Sequence, residues 1–108
     1  MSNKYSYVIS KQAEEDIVSV MRYITETLQN QKAANDMFAK IENAIETACA
    51  FPYANPSCEY YFINDPNTRH IVIDNYALFY EIEDEENRIV ILRFLLARMD
   101  FKKISVKV

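Results

Sequence analysis

The chain contains no glycine in its 108 residues, and this constrains its turns more than any other feature of the sequence. Glycine is the usual residue at left-handed backbone positions, so Asn, Asp, Pro and Ser must form the turns here. Its absence also excludes a phosphate-binding P-loop and a dinucleotide-binding fingerprint, which need glycine where the backbone meets phosphate. We therefore predict turns at Asn30, Asn55-Pro56, Asn64–Asn67, Asp74-Asn75 and Asp84–Asn87.

The length predicts a single domain over residues 1–108, and a composition of 50% apolar and 26% charged residues is typical of a globular domain. The net charge of −4 is unevenly spread. Residues 1–87 hold six basic and fifteen acidic side chains, whereas residues 88–108 hold six basic and one acidic. An acidic body argues against broad binding to nucleic acid. The basic end can still meet an anionic partner locally.

The pattern of cysteine and histidine predicts no metal site and no cofactor. Cys49, Cys58 and the single His70 lack the spacing of metal ligands, and we expect both thiols to be reduced. Residues 1–10 lack the apolar segment of a signal peptide, and no apolar run approaches the roughly 20 residues of a membrane span. A cytoplasmic location without membrane contact is therefore expected.

Apolar periodicity predicts two helices in the first half of the chain. A short strand at Tyr5–Ile9 precedes Ser10, a residue type that favours helix N-caps. A helix is then predicted over residues 11–28 and another over residues 31–50, joined closely enough to form an antiparallel hairpin. The apolar stripes are Ala13, Ile17, Val20, Met21, Ile24 and Leu28 on the first helix, and Ala34, Met37, Phe38, Ile41, Ile45 and Ala48 on the second.

The second half predicts three consecutive strands, at residues 68–73, 76–82 and 88–95. The last strand is apolar on both faces, which is typical of a central strand. Residues 59–63 are compatible with a short strand or an aromatic loop, and residues after Met99 with one helical turn. The predicted fold is α+β, in the order β-α-α-β-β-β. A helical hairpin packs on one face of a mostly antiparallel four-stranded sheet, and the opposite face and its arginines stay open.

Several short segments, in this order and at these spacings, resemble one known group of proteins. They are Ile9-Ser10, Ala13, Asp16-Ile17, Tyr23-Ile24, Ala34, Phe38, Phe51-Pro52, Arg69, Asn75-Tyr76, Phe79-Tyr80, Ile89, Ile91-Leu92-Arg93, Arg98 and Asp100. Together they cover the chain from Tyr7 to Asp100 and resemble the RelE/ParE superfamily of toxins from bacterial type II toxin–antitoxin systems, which includes plasmid-stabilization proteins.

The resemblance implies a growth-inhibiting toxin neutralised by a small antitoxin, which would cover exposed apolar and basic surface on the sheet and helical hairpin. RelE-like members cleave messenger RNA on the ribosome, and ParE-like members bind DNA gyrase. RelE-like members are similar in having two lysines on the second strand, an arginine after the hairpin tyrosine, and a C-terminal tyrosine or histidine–tyrosine pair. Here Ala77 follows Tyr76, the second strand offers Arg69 and His70, and no Tyr or His follows Tyr80. These departures favour the ParE-like branch.

Candidate site residues follow from this resemblance and from charge. For contact with target or antitoxin they are Arg69, Tyr76, Arg93, Arg98, Asp100, Lys102 and Lys103; for the alternative of a ribosome-dependent ribonuclease they are Arg69, His70, Arg93 and Arg98. Structural interpretations stand beside these: a surface arginine at Arg69, a half-buried histidine, core packing of Tyr76, a tail salt bridge of Arg98 with Asp100, and an ion pair of Arg93 with a body carboxylate. Another alternative is a non-toxic family member that acts as a binding module.

Overall fold

The computed structural model describes residues 4–55 and 67–96. They form β1 (Ser6–Ile9), α1 (Lys11–Arg22), α2 (Gln31–Ala50), β2 (Thr68–Ile73), β3 (Tyr76–Glu83) and β4 (Arg88–Leu96). This order confirms the predicted strand–helix–helix–three-strand arrangement. The segments predicted at residues 59–63 and after Met99 lie outside the described residues.

The four strands form one sheet in the order β1-β4-β3-β2. β2 and β3 pair antiparallel through the turn at Asp74-Asn75, β3 and β4 also pair antiparallel, and β1 pairs parallel with β4. The sheet is therefore mostly antiparallel, as predicted. β4 lies between β1 and β3, which confirms the central position predicted from its apolar sequence.

The hydrophobic core lies between the helices and one face of the sheet. Alternate residues of β3 point into it, because successive side chains on a strand face opposite sides. The buried members of this core are Ala13, Ile24, Ala34, Met37, Ile41, Ile45, Ala48, Cys49, Ile73, Leu78, Tyr80, Ile82, Ile89, Ile91 and Phe94. Most of the predicted helical stripes are among them.

Two members of the predicted stripes do not belong to the core. Leu28 is 54% exposed and Phe38 is 50% exposed. Leu28 lies beyond the last turn of α1, where the chain leaves the sheet. Phe38 follows the buried Met37, and one residue along a helix turns the side chain by about 100° away from the buried stripe.

The first helix ends in a π-helical turn, Tyr23–Thr27, which the apolar pattern did not predict. The Leu28 N–H donates to the carbonyl of Tyr23, five residues earlier, at 3.1 Å. Gln29 then takes a left-handed conformation with φ 51°, and the Asn30 side chain caps α2 by accepting from the Ala33 N–H at 3.0 Å. The turn predicted at Asn30 is confirmed, but the left-handed residue is its neighbour Gln29. Asp74 (φ 55°) and Asn87 (φ 51°) adopt the same conformation inside two predicted turns.

One irregularity interrupts the pairing of β3 with β4. Phe79 is paired with Arg93, but Tyr80 is paired with Ile91, so β4 carries one additional residue, Leu92, at this point. Ile91 and Phe94 consequently both belong to the core although they are three positions apart. A β-bulge of this kind changes which side chains face each side of a strand.

β1 is shorter than β4, so the backbone of β4 after Ile91 has no neighbouring strand on that side among the described residues. The side chains of Ser10 and Asp16 bind this backbone instead. The Ser10 hydroxyl caps α1 by accepting from the Ala13 N–H, and it donates to the carbonyl of Leu92; both contacts are 3.1 Å. The Asp16 carboxylate accepts from the Phe94 N–H at 3.0 Å. Side chains thus replace the strand neighbour that β4 lacks here, and backbone groups that would otherwise be unpaired are satisfied.

Candidate functional site

Arg93 forms a largely buried ion pair between the sheet and α1. Its Nε lies 2.7 Å from Oδ2 of Asp16, and Nη2 lies 3.2 Å from Oδ1. The side chains are only 15% and 13% exposed. Contact of Arg93 with a target stays a prediction, and the structural alternative of an ion pair with a body carboxylate is the arrangement observed. The physical reason is that a charge in an apolar strand requires a counter-charge nearby.

Arg69 is also engaged within the protein. It is paired with Tyr80 across β2 and β3 and therefore starts on the helix-facing side of the sheet. Its Nη1 donates to the carbonyl of Asn55 at 2.9 Å, and its guanidinium lies 5.1 Å from the centre of the Tyr53 ring. Arg69 therefore holds the loop that follows α2 instead of lying free on the open face of the sheet, and its contact with a partner stays a prediction.

His70 lies on the opposite side of the sheet from Arg69, as alternation along a strand requires. Pairing places His70, Phe79 and Arg93 in one row across β2, β3 and β4. The imidazole is half-buried, its ring centre lies 6.2 Å from that of Phe79, and burial lowers its pKa below 6.5. A neutral imidazole can accept a proton, which is one of the requirements for a general base.

The other predicted contact residues divide into two groups. Tyr76 packs against the core and stacks on Phe94 at 5.0 Å, which agrees with core packing. Arg98, Asp100, Lys102 and Lys103 lie outside the described residues. Their roles, and any partner contact by Arg69, Tyr76 or Arg93, stay predictions.

A second polar cluster joins three segments at one end of the sheet. The hydroxyls of Tyr5 and Tyr53 both donate to the carboxylate of Asp84, which follows β3. These hydrogen bonds lower the pKa of Asp84 and raise the pKa of Tyr53 to about 12. The buried Tyr80 hydroxyl donates to the Pro52 carbonyl at 2.6 Å in the same loop. This cluster is structural, since it fixes the loop after α2 that also receives Arg69.

Reactive groups are sparse in the described part of the chain. Cys49 is a buried thiol, and burial raises its pKa, so the thiolate needed for nucleophilic chemistry is disfavoured. Residues 4–55 and 67–96 contain no cluster of three or more side chains suited to a metal ion. In these residues, no helix is long and apolar enough to span a membrane.

An apolar groove lies on the surface between α1, α2 and β1. We call it the helix–strand groove; it measures about 580 Å³ and is lined by Tyr7, Ile9, Glu14, Ile17, Val18, Phe38, Ala39, Ile41, Glu42, Asn43, Ile45 and Glu46. Val18 and Phe38 are exposed apolar residues on its two helical walls. All of its charged residues are glutamates. The expected apolar surface is present, but here it is combined with acidic rather than basic side chains.

The sequence also carries the signature of one protein family, which matches residues 7–101. The family is the ParE toxin of the type II toxin–antitoxin system parDE. The chain belongs to the ParE toxin family. The resemblance drawn from its ordered motifs is thereby confirmed, and membership makes it a toxin of the ParE/RelE superfamily.

Two solved structures have the same fold as this ParE-family chain. One is described as the chromosomal ParDE toxin–antitoxin system from P. aeruginosa, with 13% identity, a TM-score of 0.69, and coverage of 90% of this chain and 100% of that one. The other is the RelBE2 toxin–antitoxin complex from Mycobacterium tuberculosis, with 21% identity, a TM-score of 0.58, and coverage of 87% and 93%. No curated protein sequence matches the chain.

Sequence reasoning missed two features of this ParE-family site. Asp16 was recognised only as part of the Asp16-Ile17 motif, whereas it binds Arg93 and the edge of β4. Phe38 was assigned to the core, whereas it borders the helix–strand groove. The available signal for the first was Arg93, an arginine in the interior of the most apolar strand, whose charge required a carboxylate somewhere in the body.

Proposed function

We propose that this chain is a ParE-like toxin that arrests growth by binding DNA gyrase and is neutralised by a cognate antitoxin in the cytoplasm. Membership of the ParE toxin family over residues 7–101 is the observation that carries this proposal. The two structural neighbours are described as toxin–antitoxin systems or complexes, which supports an antitoxin as partner.

Engagement of the described arginines favours gyrase binding over ribonuclease activity. Cleavage at a 2′-hydroxyl needs cations beside the phosphate, where negative charge develops. Arg93 is paired with Asp16, and the Arg69 guanidinium donates to a loop carbonyl. Using either one on a phosphate would therefore require breaking an internal contact. The engagement of both arginines supports a toxin that acts by binding.

The basic end of the chain is the proposed contact with gyrase. Residues 88–108 contain six basic side chains and one acidic side chain, in contrast to the acidic body. A local concentration of positive charge attracts an acidic protein surface and accelerates association with it. Arg98, Lys102 and Lys103 are the residues proposed to contribute most.

A supercoiling assay with purified chain and gyrase tests the target. We expect inhibition, and we expect Lys102→Glu with Lys103→Glu to weaken it at least tenfold, because two attractive charges become repulsive. The matched control reverses two exposed lysines of the helices, Lys11→Glu with Lys32→Glu, and gives the same change in net charge. Equal loss in both double variants would show that general charge rather than the basic end is responsible.

Translating ribosomes with messenger RNA test the alternative target. Cleavage products that disappear on His70→Ala would favour the ribonuclease, since His70 is the described residue best suited to accept a proton. Expression in bacterial cells tests toxicity itself. Growth should stop on induction and resume when the protein from the neighbouring reading frame is co-expressed; normal growth on induction would indicate a non-toxic binding module.

A further inference from the structure

A second apolar hollow lies at the tip of the helical hairpin, beside the turn between β2 and β3 and the end of β4. We call it the hairpin-end hollow; it measures about 830 Å³, and its apolar lining includes Tyr23, Leu28, Met37, Tyr76 and Leu96. Tyr23 and Leu28 are each about half exposed, so much of this apolar surface faces water. Large apolar side chains that are exposed together, rather than singly, indicate an interaction surface.

The π-helical turn Tyr23–Thr27 brings Tyr23 and Leu28 into the same hollow. Positions five apart in an α-helix point about 140° away from each other around the axis, because each residue turns the helix by about 100°. Here the Leu28 N–H donates to the Tyr23 carbonyl, so this turn is wider and holds five residues. Turns of this kind inside helices occur often at functional sites. The backbone geometry therefore supports a role for the hollow beyond packing.

Every described charged residue in the lining of the hollow has a partner of opposite sign. Asp74 and Lys40 both belong to the lining and are paired at 2.9 Å, and Asp36 is paired with Lys32 at 3.0 Å. By contrast, the described charged residues of the helix–strand groove are three glutamates. An acidic partner would be repelled by that groove but not by the hairpin-end hollow, since like charges in contact oppose binding.

The basic end of the chain continues from the wall of the hairpin-end hollow. Leu96 is part of the lining, and Arg98 follows it by two residues. Because consecutive Cα atoms are about 3.8 Å apart, the Cα atom of Arg98 lies within about 7.6 Å of that of Leu96 in any conformation. Lys102, Lys103 and Lys107 follow in the sequence. A partner that contacts Arg98 is therefore next to the hollow as well.

We propose that the hairpin-end hollow is the apolar part of the gyrase-binding surface and receives an aliphatic or aromatic side chain from an acidic face of gyrase. The basic end of the chain contacts carboxylates around that side chain. This assignment rests on the proposed function, because it specifies which surface binds that partner. An apolar anchor in a pocket mainly slows dissociation, whereas charges at the rim mainly accelerate association. The two parts of the surface should therefore be separable by kinetics.

Surface plasmon resonance with immobilised gyrase and the purified full chain measures both rates. Tyr23→Ala with Leu28→Ala should weaken binding about tenfold or more, mainly through faster dissociation, because each well-packed anchor is worth about fivefold. The matched control, Phe51→Ala with Val72→Ala, removes one aromatic and one aliphatic side chain that are 64% and 63% exposed outside the hollow. The affinity of the control should stay within about twofold of that of the wild type.

Two further variants separate anchoring from folding and from charge. Leu28→Ser, a single change at an exposed position, should keep the circular dichroism spectrum of the wild type and weaken binding about threefold or more. Lys102→Glu with Lys103→Glu should instead slow association, and raising sodium chloride from about 0.05 M to about 0.5 M should diminish that effect. The faster dissociation of the hollow variants should persist at high salt.

Three results would overturn the assignment of the hollow. Unchanged gyrase binding by the hollow variants, or equal weakening by the hollow and control variants, would remove the hollow from the interface and leave gyrase as the target. A change confined to the association rate would show that the hollow holds no anchor. A wild-type chain that does not bind gyrase would overturn the proposed function and the role of the hollow together.

Discussion

The two helices are attached to the same sheet by different kinds of contact. α1 is joined to β4 by the Asp16–Arg93 ion pair, whose side chains are at most 15% exposed, and by side chains that bind the strand's backbone. α2 is joined to the turn between β2 and β3 by a pair of Lys40 with Asp74 at 2.9 Å, whose side chains are about half exposed. The distances are similar, but the surroundings differ.

This difference shows that contact distance alone does not measure what an ion pair contributes. Water screens the exposed pair and solvates either partner when the other is removed, so its contribution is small. Removing one member of the shielded pair leaves the other charge without compensation in an apolar setting. Asp16 also satisfies the Phe94 N–H, so its loss affects the backbone as well.

The largest effect is therefore expected for Asp16→Ala. The free energy of unfolding should fall by about 3 kcal/mol, because Arg93 loses its counter-charge and the Phe94 N–H loses its acceptor. Urea denaturation measures this change. Asp36→Ala, at an exposed position of α2, should cost less than about 0.5 kcal/mol. A loss below about 1 kcal/mol for Asp16→Ala would show that the junction of α1 with β4 is no stronger than a surface pair.

An intermediate effect is expected for Ser10→Ala, which removes a helix cap and a donor to β4 together. The N-cap alone is worth about 1 kcal/mol, and loss of the contact with Leu92 should add about 0.5–1 kcal/mol. Asn30→Ala removes only the corresponding cap of α2. The two losses in urea denaturation should therefore differ, and equal losses would mean that the bond from Ser10 to the sheet contributes nothing.

A small effect is expected for Lys40→Ala. Exposed pairs contribute at most about 1 kcal/mol, and salt screens that contribution further. The loss should shrink when sodium chloride is raised to about 1 M, whereas the loss for Asp16→Ala should persist. If high salt reduced both losses by the same fraction, the proposed distinction between shielded and exposed junctions would fail.

A third junction, that of Tyr53 with Asp84, should make stability depend on pH. The pKa of Tyr53 is raised to about 12, so the stabilisation from its protonated hydroxyl is complete below pH 10 and is lost as pH rises towards 12. Tyr53→Phe should reduce the loss of stability between about pH 10 and pH 12. Below pH 10, the stability of the variant should change with pH in the same way as that of the wild type. Tyr23→Phe, outside this cluster, should retain the decline.

Asp84 should also make the stability of the fold depend on pH in the acid range. Its pKa is lowered by the two tyrosine hydroxyls, so the carboxylate stabilises the fold above its ordinary pKa of 3.8, and the contribution is lost as pH falls below that value. Asp84→Asn should remove this component of acid unfolding. A steeper loss of stability at low pH in the variant would contradict the assigned hydrogen bonds.

Most of the fold could be predicted because local signals agreed with one another. Strong apolar periodicity indicated both helices, and Asp74-Asn75 marked a two-residue turn between strands. The π-helical end of α1 and the additional residue at Leu92 could not be predicted, since both depend on packing between distant elements. Phe38 shows the same limit, because helical periodicity does not define the edge of a buried stripe to within one residue.

The candidate site was less predictable than the fold. An arginine in an apolar strand indicates that a charge needs compensation, but not whether a partner or the protein supplies it. In this chain Asp16, 77 positions away, supplies it for Arg93. Likewise, the glutamates of α1 and α2 are ordinary solvent-exposed residues in the sequence. Only the packing of the two helices shows that they border one groove.

The additional residue of β4 has a consequence for comparing family members. Deleting Leu92 would restore regular alternation, with Ile91 and Phe94 still facing the core and Arg93 still opposite Phe79. A relative that lacks this residue would therefore carry its two core residues two positions apart instead of three. Alignments that score residue types without allowing a one-position gap there would match outward-facing positions of one protein with inward-facing positions of another.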